Sequence, residues 1–367
     1  MSDEARRVGI VGGGQLGRML TLAGHDLGIE CITLDPAASS PSSAVGPSIL
    51  GAYDDRERLA ELALGCDVVT YEFENVPVEA ARFLETMRPV WPPPAALEAA
   101  QDRLAEKQLF TKVGLSVPAY AAVDSLAGLD DALERLGTPA VLKTRRLGYD
   151  GKGQAIIRDP LLAEDAWRSV GEVPCLLEAL VEFDRELSIV AACVPDGATV
   201  CYPLVENHHA DGILRRTIAP APALSPALQG TAEDHVHSVM AELGYVGVLA
   251  IELFQVGDSL LGNEMAPRVH NSGHWTIEGA ETSQFDNHLR AVCGLPLGPA
   301  DAIGVSAMVN LIGEMPARAA VLEIPGAHLH DYGKEPRPGR KLGHITLHAE
   351  DESTLETRVA AALAICS

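Results

Sequence analysis

The sequence predicts an N-terminal parallel-sheet α/β domain, a central α+β domain and a small β-rich C-terminal domain. Three observations carry this: strands and helices alternate over residues 8–86, antiparallel strands mix with helices through the middle, and two Pro/Gly punctuations divide the chain. With 367 residues, 47% of them hydrophobic, the chain can bury a full core and divide into two or three domains. Aromatics are only 4%, so aliphatic residues and alanine must form most of that core.

Val8-Gly-Ile-Val11 reads as a short buried strand, Gly12-Gly-Gly-Gln-Leu-Gly17 as a turn, 18–27 as an amphipathic helix and 30–35 as a second strand. A helix over 56–64, a strand over 68–71 and a helix over 78–86 continue the alternation. Trp91-Pro-Pro-Pro94 cannot continue either element, which puts the first boundary near residue 95 and the first domain at 1–95. The domain at 96–297 opens with a helix over 96–113. Strands at 140–143 and 153–157, a helix at 161–169 and hairpin-like strands over 175–204 follow, then a helix at 232–243 and strands at 247–255 and 259–264. Gly294-Leu-Pro-Leu-Gly-Pro299 marks the second boundary. The segment 298–367 holds short strands and a closing helix, where Ser353-Thr-Leu-Glu356 has capping-box spacing.

A formal charge of −23 argues against nucleic-acid or anionic-membrane partners, which are bound by surplus Lys and Arg. Any phosphate site must therefore concentrate its few cations locally. The seven cysteines form no CxxC pair and read as reduced, packed thiols. The N-terminus lacks a signal-peptide apolar region, and no stretch is long enough to span a bilayer, so a soluble cytoplasmic protein is expected.

Gly12, Gly14 and Gly17 fit G-x-G-x-x-G between strand and helix, with Asp35 ending the next strand. This is the dinucleotide fingerprint, and alone it suggests a NAD-dependent dehydrogenase. A tight turn without ligand, or a helix N-terminus holding some other phosphate or ribose, fits equally well. Further on, Pro139-Ala-Val-Leu-Lys143 ends a buried strand with a lysine, and Gly148-Tyr-Asp-Gly-Lys-Gly-Gln154 is a glycine-rich loop around another. Such loops fold over polyphosphates, although this one lacks the GK[ST] ending of a P-loop.

The strongest local signal is a pair of acids. Val248-Leu-Ala-Ile-Glu-Leu-Phe254 and Leu260-Leu-Gly-Asn-Glu264 flank a turn around Gly257-Asp258-Ser259; with the turn as hairpin centre, Glu252 sits opposite Glu264. Two carboxylates on a largely dry face call for a raised pKa or a divalent cation, and oxygen ligands suit Mg²⁺, with Asn263 a further candidate. A register slip would turn them apart. A dehydrogenase has no use for this pair; a phosphoryl-transfer enzyme does. Arg268-Val-His-Asn-Ser-Gly-His274 and Gly339-Arg-Lys-Leu-Gly-His344, the latter preceded by Lys334 and Arg337, read as anion-binding clusters. A solvated charge run remains open for the second. Glu72-Phe-Glu74-Asn75 falls at the carboxyl edge of the first sheet, where ligands of α/β sheets collect.

Taken in order, Gly13-Gly-Gln-Leu-Gly17, Tyr71-Glu-Phe-Glu-Asn-Val76, the 148–154 loop, Asn263-Glu-Met-Ala-Pro-Arg-Val-His-Asn-Ser-Gly-His274 and Pro338-Gly-Arg-Lys-Leu-Gly-His344 resemble the N5-carboxyaminoimidazole ribonucleotide synthetase family of ATP-grasp enzymes, over nearly the whole chain. The resemblance implies a Rossmann-like, biotin-carboxylase-type N-terminal domain, a central ATP-grasp domain with a mobile lid at about 115–178, and a homodimer. It implies that ATP phosphorylates bicarbonate to carboxyphosphate, which carboxylates the amine of 5-aminoimidazole ribonucleotide in purine biosynthesis.

Carried over residue by residue, it implies an ATP site from Arg103, Lys143, the loop Gly148, Tyr149, Asp150, Gly151, Lys152, Gly153 and Gln154, then Glu178, Ala179, Leu180, Val181, Glu186, His209, Asn263 and Glu264. Glu252 and Glu264 would be the Mg²⁺ ligands. Gln15, Leu16, Glu74, Asn75, Arg268, His270, Asn271 and Ser272 would hold the ribonucleotide, and Lys334, Arg340 and Lys341 its phosphate or the carboxylated intermediate. Tyr149, Asp150, Lys152, Arg268 and Lys341 would act at the reacting groups. Where the family often has Arg this chain has Lys152, which keeps the charge and loses the bidentate fork. Under this resemblance the first glycine turn serves the ribonucleotide. Three other readings compete: a sibling such as formate-dependent glycinamide ribonucleotide transformylase, the dehydrogenase, and a non-catalytic nucleotide sensor.

Overall fold

β-Branched and small apolar residues build the first sheet, in which β1 (Arg7–Val11), β2 (Glu30–Asp35), β3 (Ser48–Leu50) and β4 (Val68–Tyr71) pair in parallel in the order β3-β2-β1-β4. The structure is a computed structural model describing residues 6–148 and 152–366. Helices α1 (Gln15–Leu27), α2 (Arg56–Leu64) and α3 (Val78–Glu85) flank the sheet. Asp55 starts α2 by accepting from the amides of Glu57 and Arg58.

The proline run does not simply end an element. Pro94 occupies the first turn of α4 (Pro94–Ala100), where a missing N–H costs nothing. The single helix expected over 96–113 is two, because Asp102 leaves helical geometry at φ −130° and caps α5 (Arg103–Lys112) through the Leu104 amide.

A second sheet, antiparallel in the order β5-β8-β6-β7, contains β5 (Tyr120–Val123), β6 (Ala140–Thr144), β7 (Gln154–Ile157) and β8 (Cys175–Ala179). With α6 (Leu126–Leu136) and α7 (Ala163–Ser169) it encloses its own core around Leu129, Leu142, Trp167 and Leu177. β8 pairs only within this sheet, so the hairpin-like run expected over 175–204 is divided between two sheets.

The largest sheet is antiparallel with nine strands: β9 (Arg185–Cys193), β10 (Thr199–Cys201), β11 (Val205–Ala210), β12 (Ile213–Ala219), β13 (Gly247–Val256), β14 (Ser259–Ala266), β15 (Val305–Ile312), β16 (Ala327–Asp331) and β17 (Lys341–Ala349). Their order is β14-β13-β9-β11-β12-β15-β17-β16, with β10 on β9. Period-two alternation divides β13 between two cores, Val248 and Ala250 on one face and Leu249, Ile251 and Leu253 on the other. α8 (Pro226–Leu243) starts earlier than the expected residue 232, because Ser225 caps it through the Leu228 amide and Pro226 follows in the first turn. β15 pairs with β12, so the C-terminal strands extend the central sheet and do not form a separate layer.

Short helices α9 (Thr276–Gly279) and α10 (Gln284–Val292) precede β15, and α11 (Arg318–Leu322) and α12 (Glu352–Ile365) come after it. The cap of α12 is Asp351, which accepts from Thr354 N–H; the helix begins at Glu352, so Ser353 is already inside it and the expected capping box does not form. His288 on α10 joins the first sheet to the nine-stranded one: Nδ1 accepts from Val248 N–H at 3.1 Å and Nε2 meets Thr70 Oγ1 at 2.8 Å. All seven cysteines are free, and Cys366 is exposed where packing was expected. Among the described residues no helix is long and apolar enough to cross a membrane.

Candidate functional site

The glycine turn decides between ligands. Gly12 sits at φ +110°, and a Cβ on Gly12 or Gly14 would fall 2.3 Å or 2.4 Å from Glu72 atoms. The Glu72 carboxylate accepts from the amides of Gly14 (2.5 Å) and Gly17 (2.7 Å), so the N-terminus of α1 already holds an anion belonging to the protein. Asp35 accepts from Gly13 N–H and the Tyr53 hydroxyl, both at 2.8 Å, and is not free for a ribose. The turn therefore has no place for a dinucleotide pyrophosphate, and the dehydrogenase reading loses its site.

A cleft of about 1280 Å³ runs from this sheet edge across the central sheet to the β6–β7 hairpin. At the sheet-edge end, Arg268 forks onto Glu74 Oε2 with Nε and Nη2, each at 2.5 Å. Gln15, Leu16 and Asn75 line the same end, and Gln15 accepts from the Lys334 ammonium. Lys334, Arg337, Arg340 and Lys341 form the facing rim, so the late basic cluster converges on the cleft and is not a solvated run. Burial, then Arg340, pushes Lys334 down to about 8.

The run after β14 supplies the wall between the two ends. Ser272 N–H and its hydroxyl meet His270 Nδ1 at 3.3 Å and 2.8 Å, which makes Nδ1 the acceptor and leaves the ring proton on Nε2. Burial, then Arg268 and Lys341, pushes His270 down to about 3, so the ring is neutral. Ser272 itself is fully buried and positions the ring without reaching the cleft. Asn271 lines the cleft with both side-chain polar atoms buried and unpartnered, as a residue awaiting a polar ligand does.

At the hairpin end, Arg103, Lys143, Gln154, Leu180, Glu186 and His209 line the cleft. His209 pairs with Glu186 at 2.5 Å; burial opposes its charge, but Glu186, Glu252 and Glu264 hold the imidazole above its ordinary value. Arg103 Nη2 donates to Gly148 O at 3.4 Å, tying α5 to the glycine-rich loop. Lys152 lines the cleft, Gly153 closes the loop at φ +71°, and Tyr149, Asp150 and Gly151 lie outside the described residues. Glu178 lies behind the wall, 2% exposed, where its carboxylate fixes Lys143 at 2.8 Å. Ala179 and Val181 also stay out of the wall and flank Leu180, whose amide donates to Pro139 O at 3.1 Å.

Between the two ends stand Glu252 and Glu264, paired across β13 and β14. The turn is not centred where symmetry about residue 258 would put it: Val256 pairs with Ser259, and that register alone would oppose Glu252 to Asn263. A bulge at Asn263 restores the acid. Burial, then the Glu264 charge, pushes Glu252 up to about 7. Burial also raises Glu264, but Arg103, followed by Lys143 and Lys107, outweighs it and holds that carboxyl below its ordinary value. Arg103 donates to Glu264 at 3.0 Å, while Glu252 has the neutral His270 at 3.6 Å, and the charges of His209 and Lys341 offset part of its burial. Among the described residues no three acidic, His or Cys side chains form a metal cage by themselves. Two facing carboxylates, one short of a cation, fit Mg²⁺ of the kind completed by phosphates and waters.

Lys107 and Glu106 escape the motif reading. Both are buried on α5: Lys107 approaches Glu178 at 3.5 Å, and Glu106 accepts from Met265 N–H at 2.7 Å. The available signal was periodicity, since Arg103, Lys107 and Phe110 share one helix face with charges where a core-facing helix carries apolar residues.

Residues 5–101 match the ribonucleotide synthetase preATP-grasp domain, 108–285 the ATP-grasp domain, and 306–358 the phosphoribosylaminoimidazole carboxylase C-terminal domain. N5-carboxyaminoimidazole ribonucleotide synthase of Pseudomonas aeruginosa is 51% identical over 354 residues, 96% of this chain and 98% of its own. The chain belongs to the N5-carboxyaminoimidazole ribonucleotide synthetase family. The Brucella melitensis synthase is 48% identical, with 92% of this chain and 95% of its own covered. The crystal structure of the Thermus thermophilus synthetase superimposes with a TM-score of 0.94 at 54% identity, covering 98% of both chains. The Aspergillus clavatus synthase, solved with ADP and 5-aminoimidazole ribonucleotide, gives 0.92 at 32% identity over 99% of this chain and 98% of its own. As a member of this synthetase family the chain is an ATP-grasp ligase of purine biosynthesis, with the parallel-sheet, ATP-grasp and C-terminal parts the resemblance implied.

Proposed function

We propose that this synthetase carboxylates the amine of 5-aminoimidazole ribonucleotide, using ATP and bicarbonate. The observation that carries the reading is one cleft with two facing carboxylates at its middle, Glu264 paired with Arg103 and Glu252 raised by burial, phosphate-type cations at the hairpin end, and a basic rim with an Arg268–Glu74 fork at the other. A bicarbonate oxygen attacks the γ-phosphorus of ATP, the bond to the β-phosphate oxygen breaks, and ADP leaves. The substrate amine then attacks the carbonyl carbon of carboxyphosphate, the phosphate departs, and the nitrogen loses a proton.

Lys143, held by Glu178, and Arg103 face the nucleotide phosphates; Glu186, His209, Leu180 and Asn263 complete that half. Glu252 and Glu264 would hold Mg²⁺, which would supply charge neutralisation for the transferring phosphoryl group. Gln15, Glu74, Asn75, Arg268, His270 and Asn271 orient the ribonucleotide, and Lys334, Arg340 and Lys341 neutralise its phosphate. The 148–154 loop, with Lys152, excludes water from the short-lived carboxyphosphate. The domains we propose are 1–95, 96–297 and 298–367, with 115–178 as the lid; the separate core of the β5-β8-β6-β7 sheet supports the lid. A cytoplasmic homodimer is the assembly we infer from the family resemblance.

ADP release measured with aminoimidazole ribonucleotide plus bicarbonate, with glycinamide ribonucleotide plus formate, and with neither, separates the readings. Release confined to the first mixture is expected. Release only in the second would assign the sibling transformylase, and binding of ATP without release in any would leave a sensor.

A further inference from the structure

We infer that Lys107 is the positioning residue that sets the divalent-cation site and the phosphate-binding lysine from behind. Its side chain has no exposure, yet its ammonium makes polar contacts with three groups. It donates to the carbonyls of Gly262 at 3.1 Å and Asn263 at 2.6 Å, and it approaches Glu178 Oε1 at 3.5 Å. Gly262 and Asn263 are the two residues at the register shift that moves Glu264 opposite Glu252.

A bulge leaves its carbonyls out of the ladder, and a buried carbonyl without a donor is costly. Lys107 satisfies both and so selects the bulged register over the regular one, which would oppose Glu252 to Asn263. Neighbours hold the same point: Gly262 N–H donates to Ser116 O at 2.7 Å, and a Cβ on Gly262 would fall 2.8 Å from the Phe110 ring. Met265 N–H, just past Glu264, is held by Glu106. The other contact of Lys107 runs through Glu178, whose second oxygen holds Lys143 at 2.8 Å. One buried cation therefore links the geometry of the acid pair to that of the lysine facing the nucleotide.

This rests on the reading of Glu252 and Glu264 as cation ligands. The test is a Mg²⁺ titration of ADP release at saturating ATP, for wild type, Lys107→Met and Glu178→Gln, with Tm and KM for aminoimidazole ribonucleotide recorded for each. Activity of the wild type without divalent cation would sink the underlying reading and is visible before any variant is compared. Lys107→Met should raise half-saturating Mg²⁺ by roughly 10- to 100-fold, the range for residues that orient metal ligands, with KM for the ribonucleotide unchanged. Glu178→Gln keeps both carbonyl contacts and should raise KM for ATP while leaving half-saturating Mg²⁺ as in wild type. If Lys107→Met does not fold, Lys107→Met/Glu178→Gln removes the stranded carboxylate and is compared with Glu178→Gln alone. A folded Lys107 variant with a lowered Tm and wild-type Mg²⁺ half-saturation overturns the inference, as does an equal Mg²⁺ shift in Glu178→Gln.

Discussion

Glu264 faces Glu252 only because Asn263 is bulged from the β13–β14 ladder. The consequence is a half-buried acid pair whose repulsion the ligand-free protein bears. Glu252 is pushed up to about 7 by burial and by Glu264, above its unfolded value. Below the unfolded value the carboxyl is neutral in both states. As pH rises from there to about 7, only the unfolded chain ionises it, and the folded state loses stability on the order of 3 kcal/mol. Ligand-free Glu252→Gln should therefore be more stable than wild type at pH 8, with the gap nearly closed at about pH 4. Mg²⁺–ADP should raise the Tm of wild type and not of the variant. Thermal melts at both pH values check this; a gap that fails to grow with pH counts against it.

Lys334 makes a second pH dependence. Burial and Arg340 lower it to about 8, so the ammonium is present below that pH and lost above it. A phosphate dianion needs the cation, hence kcat/KM for aminoimidazole ribonucleotide should fall as pH passes 8, whereas Lys334→Arg stays flat there. The pH profile of kcat/KM is the measurement, and an identical fall in Lys334→Arg would remove Lys334 from the account.

Arg268 grips Glu74 with two nitrogens, a geometry lysine cannot reproduce. Leaving that half-buried carboxylate half-paired costs about 2 kcal/mol. Arg268→Lys should accordingly lose roughly 30-fold in kcat/KM for the ribonucleotide, with KM for ATP little changed. Steady-state kinetics varying each substrate in turn distinguishes this from a general loss of fold.

The first glycine turn predicts a negative result that is easily checked. Glu72→Ala strands the Gly14 and Gly17 amides and should cost about 1–3 kcal/mol, lowering Tm, while Glu72→Gln keeps most of it. Neither NAD⁺ nor NADP⁺ should shift the Tm of wild type, and a shift at millimolar dinucleotide would reopen the turn as a cofactor site.

Much of this is legible in the residues, and the failures have physical causes. The βα alternation of the first domain follows directly from periodicity, down to the ends of Arg56–Leu64 and Val68–Tyr71. Val205–Ala210 and Ile213–Ala219 escape it because His, Asn and Arg interrupt the first and the apolar residues of the second fall in adjacent pairs at its ends, so neither shows a clean alternation. Asp102 and Asp351 read as ordinary polar residues, since a cap is defined by backbone geometry that no neighbour announces. The glycine fingerprint misleads in isolation: what fills it is Glu72, which comes from another strand end. Glu252 and Glu264 are matched correctly through a turn centre that is wrong by half a residue, and the compensating bulge depends on Lys107 from a helix far away in sequence.

The cation between those two acids is the claim on which the rest depends. Crystals grown with Mn²⁺ and a non-hydrolysable ATP analogue, with anomalous scattering recorded, test it most directly. The account predicts an anomalous peak within bonding distance of both the Glu252 and Glu264 carboxylates and of nucleotide phosphate oxygens, with Arg103 released from Glu264. Bound nucleotide with no peak there, and Arg103 still on Glu264, would contradict it.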